Sequence, residues 1–267
     1  MTLRVIDVSS NQGWLKVSPI DCDAIIVKGT GGNNYVNECC DFVLQQCFKL
    51  NKPAGLYHYA HEYGNINDPI NESNYFIDNC KNYFGKVLVA LDYEVAINGK
   101  TYTQQDVDWC YKFIQNVINR TGVIPLLYIS KSLIYECDWS SIVNLNVGLW
   151  YAQYADNNET GWLADPWDDG KSTKPFTTVL HQYTGHGRIR GYNDDLDLSL
   201  FYGDVTAWNK YAKSNDAKPI EKSDNVTKDE YLTAFARDVI AGKFGNGNER
   251  KENIYKAVQD KVNQLMK

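Results

Sequence analysis

Two acidic residues end one of the most apolar segments of the chain, VLVALDYE at residues 87–94. Five consecutive apolar residues predict a strand that is buried on both faces. Asp92 and Glu94 follow at a spacing of two, so on a strand they would point to the same side. Two neighbouring carboxyl groups repel, and at least one pKa should rise. The pair either serves acid–base chemistry or marks a strand that has reached solvent.

Polar residues end the other strand-like segments as well. They are Asp7, Lys28, Tyr57, His58, Tyr128, Tyr151, Gln153, Gln182 and Tyr183. The active site of an α/β barrel lies at the carboxyl ends of its strands. Repetition of the same pattern on successive strands therefore favours a site over a pair of solvated acids.

The elements that would hold these residues alternate along the first 200 residues. Strands are predicted over 3–9, 24–30, 53–60, 87–94 and 124–130, and helices over 40–51, 73–84 and 103–122. Three further strands, over 147–154, 177–184 and 195–201, follow with little helix between them. The alternation predicts an α/β fold, an irregular TIM-like barrel of five βα units plus three strands.

Composition excludes several classes of protein. The 267 residues carry a net charge of −6, which argues against nucleic acid as a partner. The start MTLRVIDVSS has no apolar segment, and no stretch approaches 18 apolar residues, so we expect neither a signal peptide nor a membrane span. The seven cysteines form no C-x-x-C pair. We expect them to be reduced, and we expect no metal site and no cofactor.

A change in composition after residue 208 predicts a second domain. Residues 209–228 are mostly polar and include Pro219, as in a linker. Residues 229–267 then carry two apolar stripes at helical spacing, separated by GKFGNGNER. We expect a barrel over 1–208, a linker over 209–228, and a small helical domain over 229–267.

Eight segments stand in one order along the chain: IDVSSNQG, IIVKGT, GLYHYA, VALDYE, LLYIS, LWYAQY, LHQYTG and LDLSLFYG. In that order they resemble glycoside hydrolase family 25, the lysozymes of bacteriophages and some bacteria, over residues 3–203. The resemblance implies β-1,4-N-acetylmuramidase activity on bacterial peptidoglycan. The chain departs from the family pattern at Gly31, where the family often has a glutamate. The segment DVIAGKFGNG and its surroundings resemble a cell-wall-binding repeat of phage lysozymes.

The resemblance implies an acidic site of Asp7, Asp92, Glu94 and Asp197. Asp194 and Asp195 lie close to the last of these, and the following Leu-Ser-Leu-Phe favours Asp197. Glu94 is expected to be the general acid, and Asp92 an ionised group that attacks the anomeric carbon or orients the substrate's 2-acetamido group. We favour the second role, because the D-x-E pattern resembles barrel hexosaminidases that work in this way.

Two further sets of residues are predicted to bind ligands. The sugar cleft is expected to be lined by Tyr57, Tyr59, Tyr128, Trp150, Tyr151, Gln153 and Gln182. Aromatic residues on barrel strands also serve as core, and both roles stay open for them. The wall-binding contacts are expected at Asp238, Lys243, Asn246 and Arg250, although Asn246 also suits a helix-ending turn.

Two alternatives to an endolysin stay open. The barrel could be a non-catalytic peptidoglycan-binding module, or it could be an N-acetylglucosaminidase that cleaves the alternate bond. An intact D-x-E pair argues against the first. For an endolysin we expect synthesis in the host bacterial cytoplasm and later release to the wall, with no membrane insertion. The single repeat raises the hypothesis of weak homo-oligomerisation for avidity.

Overall fold

The computed structural model of this chain describes residues 1–213 together with residues 251, 253, 254 and 256. Contacts divide the chain into two units, Met1–Ala217 and Lys218–Lys267. The strands of the first unit are β1 (Leu3–Val8), β2 (Ala24–Gly31), β3 (Tyr35–Val36), β4 (Ala54–Tyr59), β5 (Leu88–Asp92), β6 (Leu126–Ser130), β7 (Gly148–Ala152), β8 (Thr177–Ile189) and β9 (Tyr192–Phe201). Its helices are α1 (Cys40–Lys49), α2 (Pro69–Cys80), α3 (Gln104–Thr121), α4 (Ser140–Val143) and α5 (Val205–Ala212).

Eight of these strands close into a barrel in the order β1-β2-β4-β5-β6-β7-β8-β9, and β3 extends the sheet beside β2. Pairing is parallel from β1 through β8. Among the eight barrel strands only β9 is antiparallel, to β8 on one side and to β1 on the other, and β3 outside the barrel is antiparallel to β2. The predicted α/β barrel with a helix-poor second half is confirmed.

Three differences from the predicted elements stand out. A 3-10 turn, Ser10–Gln12, follows β1 where the first helix of a βα unit would lie, because residues 9–23 contain Gly13 and Pro19 and no helical periodicity. Helix α2 begins at Pro69, four residues early, because Asp68 caps it and proline fits the first helical turn. Strand β8 runs on to Ile189 and forms a long hairpin with β9.

The alternation of side chains along each strand divides the core into two layers. Val89, Leu91 and Tyr93 join the large cluster that packs the barrel against its helices. Leu88 and Ala90 belong to a second cluster, which fills the inside of the barrel. Asp92 and Glu94 continue the inward series, two and four residues beyond Ala90. The inside of the barrel is therefore apolar along its length and becomes acidic at the carboxyl ends of the strands.

Helix α5 covers the opposite end of the barrel. Trp208 is 1% exposed, belongs to the inner cluster and donates its indole N–H to the carbonyl of Ala54 at 3.0 Å. Ala54 begins β4, so the contact lies at the amino ends of the parallel strands. The predicted linker begins at residue 209, inside this helix, and the helix runs on to the buried Ala212. The boundary between the two units falls after Ala217, inside the predicted linker.

All seven cysteines are unpaired thiols, and all but Cys137 are buried. Among the residues that the structure describes, no helix combines the length and the apolar character needed to cross a bilayer. The tail residues Asp238, Lys243, Asn246 and Arg250 lie outside the described part of the chain.

Candidate active site

Asp7 and Asp197 lie directly opposite each other on the antiparallel strands β1 and β9. Burial raises the pKa of Asp197 to about 6. Burial and the charge of Asp197 raise the pKa of Asp7 well above its ordinary range. Asp7 keeps its proton and donates it to Asp197, which in turn favours the ionised form of Asp197. The pair therefore holds one proton at the edge of the inner layer.

Gln182 joins this pair to the tyrosines of the neighbouring strands. Its amide nitrogen donates to both carboxyl oxygens of Asp7, at 3.2 and 3.0 Å. Its amide oxygen accepts from Tyr128 at 2.7 Å and from Tyr154 at 2.5 Å. With 3% of its surface exposed, Gln182 has all its hydrogen-bonding groups in use, and one orientation of the amide satisfies them. It is a fixed support for the site.

Asp106 of α3 fixes the segment that carries Glu94. One of its oxygens accepts from the hydroxyl of Tyr93 at 2.8 Å and from the backbone of Ile97 at 2.7 Å. The other accepts from the backbone and hydroxyl of Thr103, which caps the helix. Because Tyr93 points outward into this network, Glu94 points inward beside Asp92. The predicted same-side arrangement holds, although β5 ends at Asp92 and Glu94 lies just beyond the strand.

The pKa values of Asp92 and Glu94 are both raised. Burial raises the pKa of Asp92 well above its ordinary range, and the charge of Glu94 adds to the rise. Loss of water between the cleft walls also raises the pKa of Glu94, although its side chain opens to solvent. Hydrogen bonds from Tyr128 and Tyr59 oppose that rise. The opposition is smaller than two hydroxyls would give, because Tyr128 directs its single proton to Gln182.

The raised pKa of Asp92 differs from the expectation that this residue is ionised. Its Oδ1 is buried and accepts no hydrogen bond from the described residues. A buried carboxylate without donors binds a proton more tightly. A hydrogen-bond donor placed against this oxygen would favour the ionised form of Asp92.

These acids line a cavity of about 270 Å³ at the carboxyl ends of the strands. Its walls include Asp7, Asp92, Glu94, Asp197, Lys28, Ser9, Asn11, Tyr57, Tyr59, Tyr128, Trp150, Tyr154 and Gln182. A second cavity, of about 420 Å³, shares Glu94, Tyr128 and Tyr154 with the first and adds Tyr102, Ser130, Lys131, Ser132, Ala152 and Gln153. The two form one cleft with Glu94 at their junction, so an extended ligand can lie on both sides of this carboxyl group.

Most of the predicted cleft residues meet here. The four acids lie together with Tyr57, Tyr59, Tyr128, Trp150 and Gln182 in the first cavity, and Gln153 lies in the second. Tyr151 does not reach either cavity. Its neighbour Trp150 points inward, so Tyr151 points outward, where its hydroxyl donates to Asp168 at 2.9 Å and its ring stacks on His181.

The sequence did not single out several residues of the cleft. Tyr102 lies in a loop, beyond the reach of strand periodicity. Tyr154 lies two residues past the end of β7 and has the same parity as Trp150, so the predicted strand over 147–154 could have indicated it. Lys131 follows β6, is 2% exposed, and pairs with Asp168 at 2.6 Å and Asp169 at 2.5 Å. This ion pair fixes the long loop after β7 to the rim of the cleft. A polar residue directly after an apolar strand is the signal that could have indicated Lys131.

No group of three or more His, Cys, Asp or Glu side chains in the described part of the chain is arranged to hold a metal ion. The walls of the cleft supply carboxyl groups, hydroxyls and amides. A barrel with acids at the carboxyl ends of its strands, in an open cleft walled by tyrosines, is a design suited to glycosidic bonds. The fold and the site place the chain in the class of α/β-barrel glycosidases.

Comparison with known proteins gives the family. The profile of Glycosyl hydrolases family 25 matches residues 6–192, and that of the CW_7 repeat matches residues 233–266. The chain belongs to glycosyl hydrolase family 25. It is similar to the lysozyme of Streptococcus phage Cp-7, with 28% identity over 97% of this chain and 69% of that lysozyme.

Solved structures share the fold. The bacterial lysozyme from Streptomyces coelicolor superposes with a TM-score of 0.60 and 23% identity, over 79% of this chain and 96% of that one. The catalytic domain of an endolysin from a Listeria monocytogenes bacteriophage gives 0.56 and 25%, over 79% and 98%. The expected family and the expected barrel are both confirmed, and the chain is a glycoside hydrolase of the lysozyme type.

Proposed function

We propose that this chain is an endolysin that hydrolyses the β-1,4 bond between N-acetylmuramic acid and N-acetylglucosamine in bacterial peptidoglycan. The family and the similarity to a phage lysozyme support the reaction class. The observation that carries the proposal is the Asp92–Glu94 pair. Glu94 lies at the junction of two cavities, and the buried Oδ1 of Asp92 accepts no hydrogen bond from the part of the chain that the structure describes.

Glu94 is the general acid in this proposal. Its raised pKa keeps a proton available, and its open side chain can reach the glycosidic oxygen of a glycan that spans the cleft. Proton transfer to that oxygen lets the bond to the anomeric carbon break. Tyr59 then donates a hydrogen bond to the carboxylate that Glu94 becomes and stabilises it.

Asp92 orients the 2-acetamido group of the sugar whose bond is cleaved. The N–H of that group supplies the donor that Asp92 Oδ1 lacks, and the new hydrogen bond favours the ionised form of Asp92. The acetamido carbonyl oxygen then attacks the anomeric carbon as the leaving oxygen takes the proton of Glu94. Glu94, now a base, removes a proton from the water that opens the cyclic intermediate. Direct attack by Asp92 is the competing mechanism, and a stable adduct of Asp92 with a fluorosugar would establish it.

Asp7 and Asp197 hold a proton beside the reacting pair and raise the pKa of Asp92 through their charge. In the proposal they position the water and tune the proton affinity of Asp92 and Glu94. Gln182 and the cleft tyrosines hold this arrangement in place.

The tail supplies attachment to the wall. The CW_7 match over residues 233–266 supports this role, and Asp238, Lys243, Asn246 and Arg250 remain the proposed contacts. Synthesis in the host cytoplasm before release, and weak self-association through the repeat, complete the proposal.

Analysis of new sugar ends tests the reaction. Purified peptidoglycan is digested with the wild type, with Glu94→Gln, and with Glu136→Gln as a control on an exposed glutamate outside both cavities. The ends are then reduced and identified. Reduced muramic acid from the wild type and the control, lost with Glu94→Gln, is the expected result. Reduced glucosamine would indicate the alternate bond, and wall binding without any new ends would indicate a binding module.

A further inference from the structure

Lys28 and Glu62 form a buried ion pair at the edge of the acidic cavity. Lys28 lies near the carboxyl end of β2 and lines the cavity together with Asp92 and Glu94. Its ammonium nitrogen is 2.6 Å from Glu62 Oε2, and the two side chains are only 11% and 10% exposed. The same nitrogen lies 4.5 Å from the ring centre of Tyr59. Glu62 itself comes from a turn after β4 and does not line the cavity.

Two glycines make room for the carboxylate of Glu62. A Cβ atom built on Gly31 would lie 1.8 Å from Glu62 Oε2 and 2.7 Å from its Cδ. One built on Gly32 would lie 3.1 Å from the Cβ of Glu62. Any side chain at position 31 would therefore displace the carboxylate. The side chain of Glu62, from the turn after β4, fills the space that a side chain at Gly31 would occupy.

The turn that carries Glu62 is held on both sides in an uncommon conformation. His61 and Tyr63 have φ of 56° and 58°, in the left-handed region that residues other than glycine seldom adopt. The backbone of His61 donates to both oxygens of Glu72 at 3.3 Å, and its buried ring packs 4.5 Å from Trp109. A strained backbone conformation persists only where the surrounding contacts hold it in place, and such conformations often occur at functional sites.

We propose that Glu62 is a positioning residue of the active site, which fixes the ammonium group of Lys28 and offsets its charge beside Asp92 and Glu94. This inference rests on the proposed function, in which Glu94 donates the proton that cleaves the bond and Asp92 orients the 2-acetamido group. Glu62 would thus set how strongly Lys28 favours the ionised forms of the acids. Lys28 stays charged beside Asp92 and Glu94, but the carboxylate of Glu62 reduces its effect on their pKa values.

The pair makes two predictions of opposite sign. The charge of Lys28 lowers the pKa of Asp92 and of Glu94. Without the carboxylate of Glu62 that charge is uncompensated, so Glu62→Gln should lower the pKa of Glu94 further. Without the ammonium group, Lys28→Met should raise it. The titratable groups that face Glu94 or Lys28 are Asp7, Asp92, Asp197, Glu62, His58, Tyr35, Tyr57, Tyr59, Tyr102, Tyr128 and Tyr154.

The pH dependence of kcat/KM on peptidoglycan is the first measurement. The basic limb should move to lower pH by about 0.5 unit or more in Glu62→Gln, and to higher pH in Lys28→Met. Glu38→Gln, at an exposed site outside the active-site cavities, is the control and should leave the limb in place. An unchanged limb in Glu62→Gln, or a shift of the same sign in both variants, would overturn the inference while the enzyme still cleaved its bond.

A titration that needs no activity separates this inference from the proposed reaction. Carboxyl-carbon NMR of the full chain, with the Glu94 signal assigned from Glu94→Gln, gives the midpoint of Glu94 directly. The midpoint should fall in Glu62→Gln and rise in Lys28→Met, even if the wild type released no new sugar ends. Equal midpoints in wild type and Glu62→Gln would overturn the inference.

A double substitution tests whether Gly31 acts through Glu62. Gly31→Ala should displace the carboxylate and reproduce the shift of Glu62→Gln. In a Glu62→Ala background the space is open, so adding Gly31→Ala should change the midpoint no further. Additive effects of the two substitutions would show that Gly31 serves the strand and not the ion pair, and would contradict the proposed packing.

Discussion

Replacing Asp197 by asparagine should stabilise the barrel at neutral pH and change its stability much less in acid. The pKa of Asp197 is about 6 in the folded chain against an ordinary 3.8, because burial disfavours its charge. The folded state therefore binds more protons than the unfolded state between these values, and the free energy of unfolding falls as pH rises through 6. Asparagine has no charge to bury, and its amide oxygen can still accept the proton of Asp7.

The size of the effect follows from the two pKa values. At pH 4.5 the acid costs about 1 kcal/mol, and at pH 7.5 it costs about 3 kcal/mol, since one pKa unit corresponds to about 1.4 kcal/mol. The asparagine variant should gain these amounts over the wild type. Activity should fall at the same time, because the destabilising acid belongs to the site.

Urea unfolding followed by tryptophan fluorescence is a suitable assay, because all seven tryptophans of the chain lie between residues 14 and 208. The signal therefore reports on the barrel unit. Asp195→Asn is the matched control on the same strand. Arg188 lowers the pKa of Asp195, so this half-buried acid contributes stability that is present above its unfolded pKa and lost as pH falls through its folded pKa. A gain for Asp197→Asn that is equal at pH 4.5 and 7.5 would refute the reasoning.

Three other substitutions test the supports of the site. Trp208→Ala removes the indole that covers the floor of the barrel and should lower the free energy of unfolding by about 3–5 kcal/mol; a loss under 1 kcal/mol in urea unfolding would contradict that packing. Gln182→Leu leaves the buried Asp7 without the two N–H groups that donate to it. The free energy of unfolding should fall by about 1–3 kcal/mol, and the pKa of Asp7, measured by carboxyl NMR, should rise. Gln45→Leu, at an exposed position of α1, should do neither. Lys131→Met should speed amide exchange of residues 165–172 by releasing Asp168, whereas Lys171→Met should not, and equal rates in the two variants would show that the ion pair does not fix the loop.

Strand periodicity was sufficient to predict the inward-facing part of the site. The run from Leu88 to Leu91 identified a buried strand, and the spacing of two placed Asp92 and Glu94 on the inside of the barrel. The same rule assigns Trp150 inward and Tyr151 outward, which explains why only Trp150 reaches the cleft.

Residues from loops could not be predicted in this way. Tyr102 lies in a loop and Glu62 lies in a turn after β4, and the shape of such segments depends on contacts far along the chain. The value of a pKa is also a property of the assembled site. Burial around Asp92 needs eight strands to close, so the sequence could indicate repulsion within the pair but not which acid holds its proton more tightly.

The buried thiols allow the opening of this enzyme's fold to be measured by chemical labelling. Burial raises the pKa of Cys22 to about 11 and that of Cys47 and Cys80 to about 12. At pH 7 only about one in 10⁵ of the least acidic of these thiols is ionised, and thiolate is the form that oxidants and alkylating agents attack. Oxidation of the intact barrel should therefore be slow even where oxidants are abundant. These cysteines would then be labelled only when the barrel opens. The labelling rate would therefore report how often the fold opens, without any spectroscopic probe.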